Sequence, residues 1–336
     1  MPRLHIVGGG IAGTALAALT PHSWEVRLYE AQWEREQVPT LFGLQGGGRE
    51  ALEALGLDDE FLRSSVEINS GRLSAPDGGT MASMKSLSLR MIPRPALLEM
   101  LRSRIPPHVE VHRERVDDPR ELEGDLIIGA DGVHSTVRRE LWQEKHGPRR
   151  LEATVIRGVT AAPVPDIPFQ EVWRSGGMFG ITPHPDGGLN WFATVPRQTF
   201  ADSEEALAAL RRRWEGCGTD PSRVLEHTSP ELTLVNQLWE SRGTRTIIRP
   251  NAALIGDAAH AMAPHLGRGA SESLADALTL GQALHTMPQK EALQHYQRRR
   301  HVPTQLARAA SRTLLRVATS GPDRLRRLLL APLPRN

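Results

Sequence analysis

The run Leu4-His5-Ile6-Val7-Gly8-Gly9-Gly10-Ile11-Ala12-Gly13 leaves this chain few folds to choose from. Residues 4–7 predict a short buried strand, and residues 14–19 read as a helix. A G-x-G-x-x-G spacing between a strand and a helix is the setting in which backbone N–H groups cradle a pyrophosphate. Each glycine has its own task there. Gly8 makes the tight turn, Gly10 lets a phosphate approach, and Gly13 lets helix and strand lie close. Residues 25–29 predict a second strand ending in Glu30, about 20 residues beyond Gly10, where an acid takes ribose hydroxyls. An acid at that point favours a free 2′-hydroxyl, so FAD or NAD over NADP.

Two further junctions carry the same logic. Leu254-Ile255-Gly256-Asp257-Ala258-Ala259-His260 closes a predicted strand over residues 252–255. A loop holding Pro264, Gly267 and Gly269 follows, then a helix with Leu274, Ala277, Leu278 and Gly281 on one face. Such a junction aims N–H groups and a positive dipole end at whatever lies above it. Residues 125–132 form the third case, a buried strand ending in Asp131-Gly132 with a helix over residues 135–141. Ligands of doubly wound sheets bind at that carboxyl end. Asp131 is equally suited to stabilising its own turn.

Between these anchors residues 34–47 read as a linker, residues 49–57 as a helix closed by Gly56, and residues 71–84 as two strands about Pro76-Asp77-Gly78-Gly79. Arg94-Pro95 opens a helix with Leu97, Leu98 and Leu101, so Arg94 either reaches a phosphate or lies on the surface. The composition changes near residue 150. Runs at 155–159, 170–173, 178–182 and 190–195 predict an antiparallel sheet, followed by a helix at 204–214 and a strand at 232–238. Trp173, Phe179, Trp191 and Phe192 either line a pocket for a flat substrate or fill a core. Helices are expected at 291–316, broken near Pro303, and at 323–330.

At 336 residues the chain has room for about two domains. A net charge of only +2 argues against a nucleic-acid binder. Arg298, Arg299, Arg300, Arg308, Arg312, Arg316, Arg324, Arg326 and Arg327 crowd the C-terminal part, a pattern expected of a solvated helix face. Cys217 is the only cysteine, which excludes an intramolecular disulfide and fits a reducing compartment. No apolar run approaches the roughly 18 residues of a membrane span, so a soluble, cytoplasmic protein is expected. His260 and His265 lack the partners of a metal site.

The three motifs in this order, Gly8-x-Gly10-x-x-Gly13 with Glu30, Gly129-Ala130-Asp131-Gly132-x-x-Ser135-x-x-Arg138, and Gly256-Asp257 with Pro264-x-x-Gly267-x-Gly269, resemble the class A flavoprotein monooxygenases. These form the para-hydroxybenzoate hydroxylase family, and the resemblance runs from residue 3 to about residue 310. It implies an α/β fold: a Rossmann-like FAD-binding domain of the GR2 type, an inserted antiparallel-sheet substrate domain, and C-terminal helices. The FAD-binding domain would take residues 1–70, 94–150 and 246–336. Residues 71–93 would add a sheet segment to a substrate domain at 151–245.

By the same resemblance, Gly8, Gly10, Ile11, Ala12 and Gly13 hold the FAD pyrophosphate and Glu30 the adenosine ribose. Arg94 sits against the diphosphate, and Asp131 serves both FAD and the nicotinamide cofactor. Gly256-Asp257 meets the ribityl or pyrophosphate portion. Pro264, Gly267, Gly269, Ala270 and Ser271 flank the isoalloxazine ring, with N–H groups near N1 and O2. Arg268 and Ser271 stand where the family often has Gln and Asn, and His265 and Arg268 are candidates to line the site. The implied reaction is hydroxylation of a small aromatic or polyketide-like substrate. NAD(P)H would be a transient reductant and O2 would add at flavin C4a as a hydroperoxide. The rival is an FAD-dependent reductase or dehydrogenase without oxygen insertion. A monomer or homodimer is expected, with no nucleic-acid partner.

Overall fold

The computed structural model describes residues 1–320 apart from 76, 165–166, 175 and 217–219. Cys217, Arg324, Arg326, Arg327 and the helix expected at 323–330 lie outside them. Among the described residues the strands form two sheets. The six-stranded sheet runs in the order Ile248–Arg249, Ala252–Leu254, Leu126–Gly129, Arg3–Val7, Glu25–Tyr29, Val109–His112. Its pairings are parallel except at the Ile248–Arg249 edge. Leu4, Ile6, Leu126, Ile128 and Leu254 are fully buried, as expected of strands covered on both faces. The carboxyl ends of Arg3–Val7, Leu126–Gly129 and Ala252–Leu254 stand side by side, so the three sequence motifs share one edge.

Four helices pack together beside this sheet where it matters for the site. Helix Gly269–Thr286 packs against Ile11–Ala18, Gly47–Ala54 and the long helix Gln289–Ser320. The stretch read as a linker at 34–47 holds strand Leu41–Leu44, and its glycines have a packing reason. A Cβ on Gly47 would fall 2.9 Å from Ala275 Cβ, and one on Gly48 would fall 2.9 Å from Ser271 Cα. Only glycines let the start of helix Gly47–Ala54 lie this close to helix Gly269–Thr286.

The eight-stranded sheet has the order Thr233–Glu240, Arg149–Val159, Leu189–Pro196, Gly177–Pro183, Gln170–Arg174, Val66–Ser74, Thr80–Pro93, Leu41–Leu44. Only the Val66–Ser74 pairing with Gln170–Arg174 is parallel. Strand alternation sends Ile156, Phe179, Ile181, Trp191 and Ala193 to an outer face, where they pack with Leu207, Leu210 and Trp214 of helix Ser203–Trp214. Helix Asp220–Glu226, which sequence reading did not find, adds Val224 and Leu225 to that core. Phe179 and Trp191 stack with centroids 5.6 Å apart, so these two aromatics are core residues. Trp173 and Phe192 take the opposite, inner face with Met178, beside Leu314 and Ala318 of helix Gln289–Ser320.

That helix runs through Pro303 without a break, contrary to the expected interruption. Nor are all its arginines solvated. Arg300 binds Glu272 and Asp276, while Arg308 and Arg312 converge with Arg149 on the buried Glu240. Their heads dock the helix onto helix Gly269–Thr286 and onto strand Thr233–Glu240, and Arg298, Arg299 and Arg316 face solvent. Among the described residues no helix is long and apolar enough to cross a membrane, and no group of three metal-ligating side chains occurs.

Candidate active site

The glycine loop divides its tasks by geometry. Gly8 has φ +108° and donates its N–H to Tyr29 O at 2.8 Å, and a Cβ there would strike Ala130 O at 2.4 Å. A Cβ on Gly13 would lie 1.9 Å from Gly8 O. At Gly10 the same atom would meet nothing within 4 Å, so the loop leaves open space at that point. Helix Ile11–Ala18 starts there with no side-chain cap. Ile11 is half-buried and Ala12 buried, the latter against Gly256 of the third junction. Glu30 accepts from Gly9 N at 2.9 Å and Gln32 N at 2.7 Å, which holds its carboxylate at the mouth of the loop.

Asp131 is occupied by its own helix. It accepts from Ser135 Oγ, Thr136 N and Val137 N, and so caps helix Thr136–Leu141. Arg138 on that helix is buried and donates to Ala258 O and Ala259 O at 3.1 and 3.3 Å. The second motif therefore fixes the third.

Behind the Gly256-Asp257 turn lies a buried charge network that the sequence did not reveal. Asp276 Oδ2 accepts from Gly256 N at 2.8 Å and contacts His260 Nε2 at 2.6 Å, while Oδ1 takes Arg300 Nε at 2.7 Å. Burial opposes charge on His260, but the Asp276 carboxylate outweighs it and raises the imidazole above its ordinary range. Asp276 is correspondingly lowered by His260 and Arg300 despite its own burial. The sequence signal was Asp276 and Arg300, two charges at otherwise helical, apolar spacing.

Asp257 itself is accessible, yet desolvation by the surrounding protein pushes its carboxyl up against the pull of His260 and Arg94. The charges of Asp257 and Arg94 act on each other, and the space around them is the candidate cleft. Arg94 faces the same cleft. Its guanidinium lies 5.8 Å from the Phe42 ring centroid, its Nε is buried without a partner, and desolvation lowers its pKa. The residues after Asp257 continue the wall. Pro264–Leu266 is a single tight turn, Gly267 follows at φ +60°, and helix Gly269–Thr286 begins without a side-chain cap. Space is open at Gly267 and Gly269, while Ala270 is buried and Ser271 Oγ accepts from Gln45 N. His265 reaches across to the inner face of the large sheet, its Nε2 3.3 Å from Thr194 Oγ1, and burial pushes it down to about 4. Arg268 follows Gly267 in this wall. It is half-exposed and bound to Glu272 at 2.6 Å, so its charge is partnered within its own helix start.

The open loop at Gly10, the unpaired Arg94 and two uncapped helix starts suit an elongated dinucleotide anion. A family model described as "FAD binding domain" matches residues 3–310. The chain belongs to the class A FAD-dependent monooxygenase family. It is a flavoprotein oxidoreductase of the monooxygenase type.

Among its relatives, the aurachin C monooxygenase/isomerase of Stigmatella aurantiaca is 29% identical over 305 residues, covering 83% of this chain and 79% of that protein. The 2-heptyl-3-hydroxy-4(1H)-quinolone synthase of Pseudomonas aeruginosa is 30% identical, covering 91% and 87%. The fold is shared with Klebsiella pneumoniae HpxO complexed with FAD and uric acid (TM-score 0.87, 20% identity, 99% and 92% covered). It is shared also with P. aeruginosa PqsL in complex with 2-aminobenzoylacetate (TM-score 0.82, 21% identity, 99% of each chain covered).

Proposed function

We propose that this flavoprotein uses NAD(P)H and O2 to hydroxylate a flat aromatic ring, with 2-alkyl-4(1H)-quinolones as the first class to test. The observation that carries the reading is the contact of His265 with Thr194, which closes the cofactor-side loop onto the sheet face bearing Phe192. A ring held between that loop and that face would be shielded from water. The relatives named as an aurachin C monooxygenase/isomerase and a 2-heptyl-3-hydroxy-4(1H)-quinolone synthase support the substrate class.

In this reading the open space at Gly10, framed by Gly8, Ile11, Ala12 and Gly13, takes the FAD pyrophosphate. Glu30 takes the adenosine ribose and Arg94 the diphosphate. Gly256 and Asp257 take the ribityl or pyrophosphate portion. Asp131 positions its helix, and we assign it no direct ligand. Bound FAD would accept hydride from NAD(P)H and activate O2 for transfer of one oxygen atom. The chain's own part is orientation and electrostatics. Pro264, Gly267, Gly269, Ala270 and Ser271 border the ring, and the free N–H groups opening helix Gly269–Thr286 favour negative charge there by about 0.3–1 kcal/mol. His265, neutral near pH 7, acts as a wall and hydrogen-bond partner.

The test is NAD(P)H oxidation by the purified yellow protein in the presence of 2-heptyl-4(1H)-quinolone and simple aromatic acids under 18O2. Stimulated oxidation with one labelled oxygen in the product is expected. Product formed without O2 would assign the protein to the reductases. Absence of stimulation by every ring tested would remove the substrate class.

A further inference from the structure

The inner face of the large sheet carries three parallel rows of side chains, and two of them are covered. In one, Thr194 meets His265, and Met178 and Trp173 pack beside Ala318. In another, Asn190 accepts from Leu41 N at 3.0 Å and binds Thr182. The row between them pairs Arg157 with Phe192, Phe192 with Gly180, and Gly180 with Glu171. Ile156 belongs to the outer core, so alternation turns Arg157 inward. A Cβ on Gly180 would lie 2.2 Å from Phe192 Cζ. The missing side chain lets the Phe192 ring lie over its neighbour strand at Gly180, a platform in register with Arg157.

Arg157 has nothing to balance it. Its Nε is buried without a hydrogen-bond partner, and among the described residues no carboxylate acts on it. Desolvation and then the Arg94 charge lower it to about 10. A half-buried cation with a buried, unpartnered Nε and a second cation acting on it is unfavourable in isolation, and is best accounted for by an anion or strong acceptor that arrives with a ligand. Arg94 already stands on the cofactor side. Arg157 stands on the sheet opposite, next to an aromatic platform.

We propose that Arg157 anchors the substrate by an oxygen carried on or beside its ring, a carbonyl or carboxylate, while the ring lies on Phe192. Glu171 ends the row three strands away, roughly 14 Å at ordinary strand spacing, so the row carries a guanidinium at one end and a carboxyl at the other. A neutral hydrocarbon ring would leave the guanidinium unpaired and bind weakly. This deepens the proposed function and rests on it for the location of the ring.

The test uses holoprotein and reads binding through perturbation of the flavin absorbance spectrum, without turnover. Two pairs of probes differ only in the oxygen function: 2-heptyl-4(1H)-quinolone against 2-heptylquinoline, and anthranilate against aniline. Wild-type protein is expected to favour the oxygen-bearing member of at least one pair by about tenfold or more. Arg157→Gln should weaken that member about tenfold to a hundredfold, leaving its counterpart and the FAD content unchanged. Arg157→Lys should recover part of the loss. The proposal is overturned if Arg157→Gln binds all four probes like wild type, or if wild type shows no preference in either pair. Loss of FAD from both variants would also overturn it, by assigning Arg157 to the cofactor. Intact discrimination without hydroxylated product would instead overturn only the proposed function.

Discussion

Gly10 and Gly13 stand three residues apart and answer to different constraints. The Cβ that Gly13 lacks would sit 1.9 Å from a backbone oxygen, whereas the one Gly10 lacks would sit in open space at an ordinary φ of −76°. Gly13→Ala is therefore expected to destabilise the fold itself, by about 3 kcal/mol or more. Gly10→Ala should cost the apoprotein no more than about 1 kcal/mol and yet weaken FAD binding at least about tenfold. Thermal melts of both apoproteins, with FAD titration, separate the two effects. Unchanged FAD affinity in Gly10→Ala would place the pyrophosphate elsewhere.

The His260–Asp276 pair makes a pH prediction at the same scale. His260 is raised in the folded state, so its contribution is complete below the unfolded value near 6.5 and is lost as pH rises through the folded value. Asp276 is lowered, so its contribution is present above the unfolded value near 3.9 and is lost as pH falls through the folded one. Wild-type stability should fall on the alkaline side more steeply than that of His260→Gln, as urea unfolding across pH would show. Asp276→Asn should cost about 3–5 kcal/mol, because it leaves His260 without its carboxylate in the interior and Arg300 with Glu272 alone.

At the level of elements, helix Gln289–Ser320 is held by charges as well as by apolar contacts. Arg149, Arg308 and Arg312 meet on Glu240, whose side chain is 1% exposed. Glu240→Ala leaves three cations facing one another, and a loss of up to about 3–5 kcal/mol is expected. Limited proteolysis should then cut near the C-terminal end of the helix first, since Leu314 and Ala318 pack on the inner sheet face downstream of this anchor. Proteolysis that begins elsewhere would show that apolar packing alone suffices to dock the helix. The same helix illustrates how arginine spacing misleads. Three residues read as surface charge turn inward because carboxylates from distant elements wait for them.

For the molecule as a whole, the cleft has one wall from the parallel sheet and another from the antiparallel one, and among the described residues Thr194–His265 is a direct link across it. A ligand filling the cleft should tie the two walls together. FAD at about a hundred times its Kd should stabilise the apoprotein by about 2.7 kcal/mol, seen as a rise in melting temperature of a single transition. Two separate transitions, only one of them moved by FAD, would mean that the sheets melt independently and that the cofactor touches only the first.

The sequence alone determined the parallel sheet, its three ligand-facing junctions and the presence of an antiparallel layer, because these depend on local chemistry. Glycine spacing, a short apolar run and an alternating run declare themselves within ten residues or so. Tertiary structure decided which groups at those junctions remain free. Asp131 is consumed by its own helix and Arg268 by Glu272, while Arg94 and Arg157 are left unpaired. The partners of Asp131 and Arg268 are local, within six residues, but which segments surround Arg94 and Arg157 is set by the fold, and no local pattern encodes that. Arg157 was legible only as a charge in an apolar strand. The fold brought it beside Phe192, and its lack of a partner makes it a candidate for recognition.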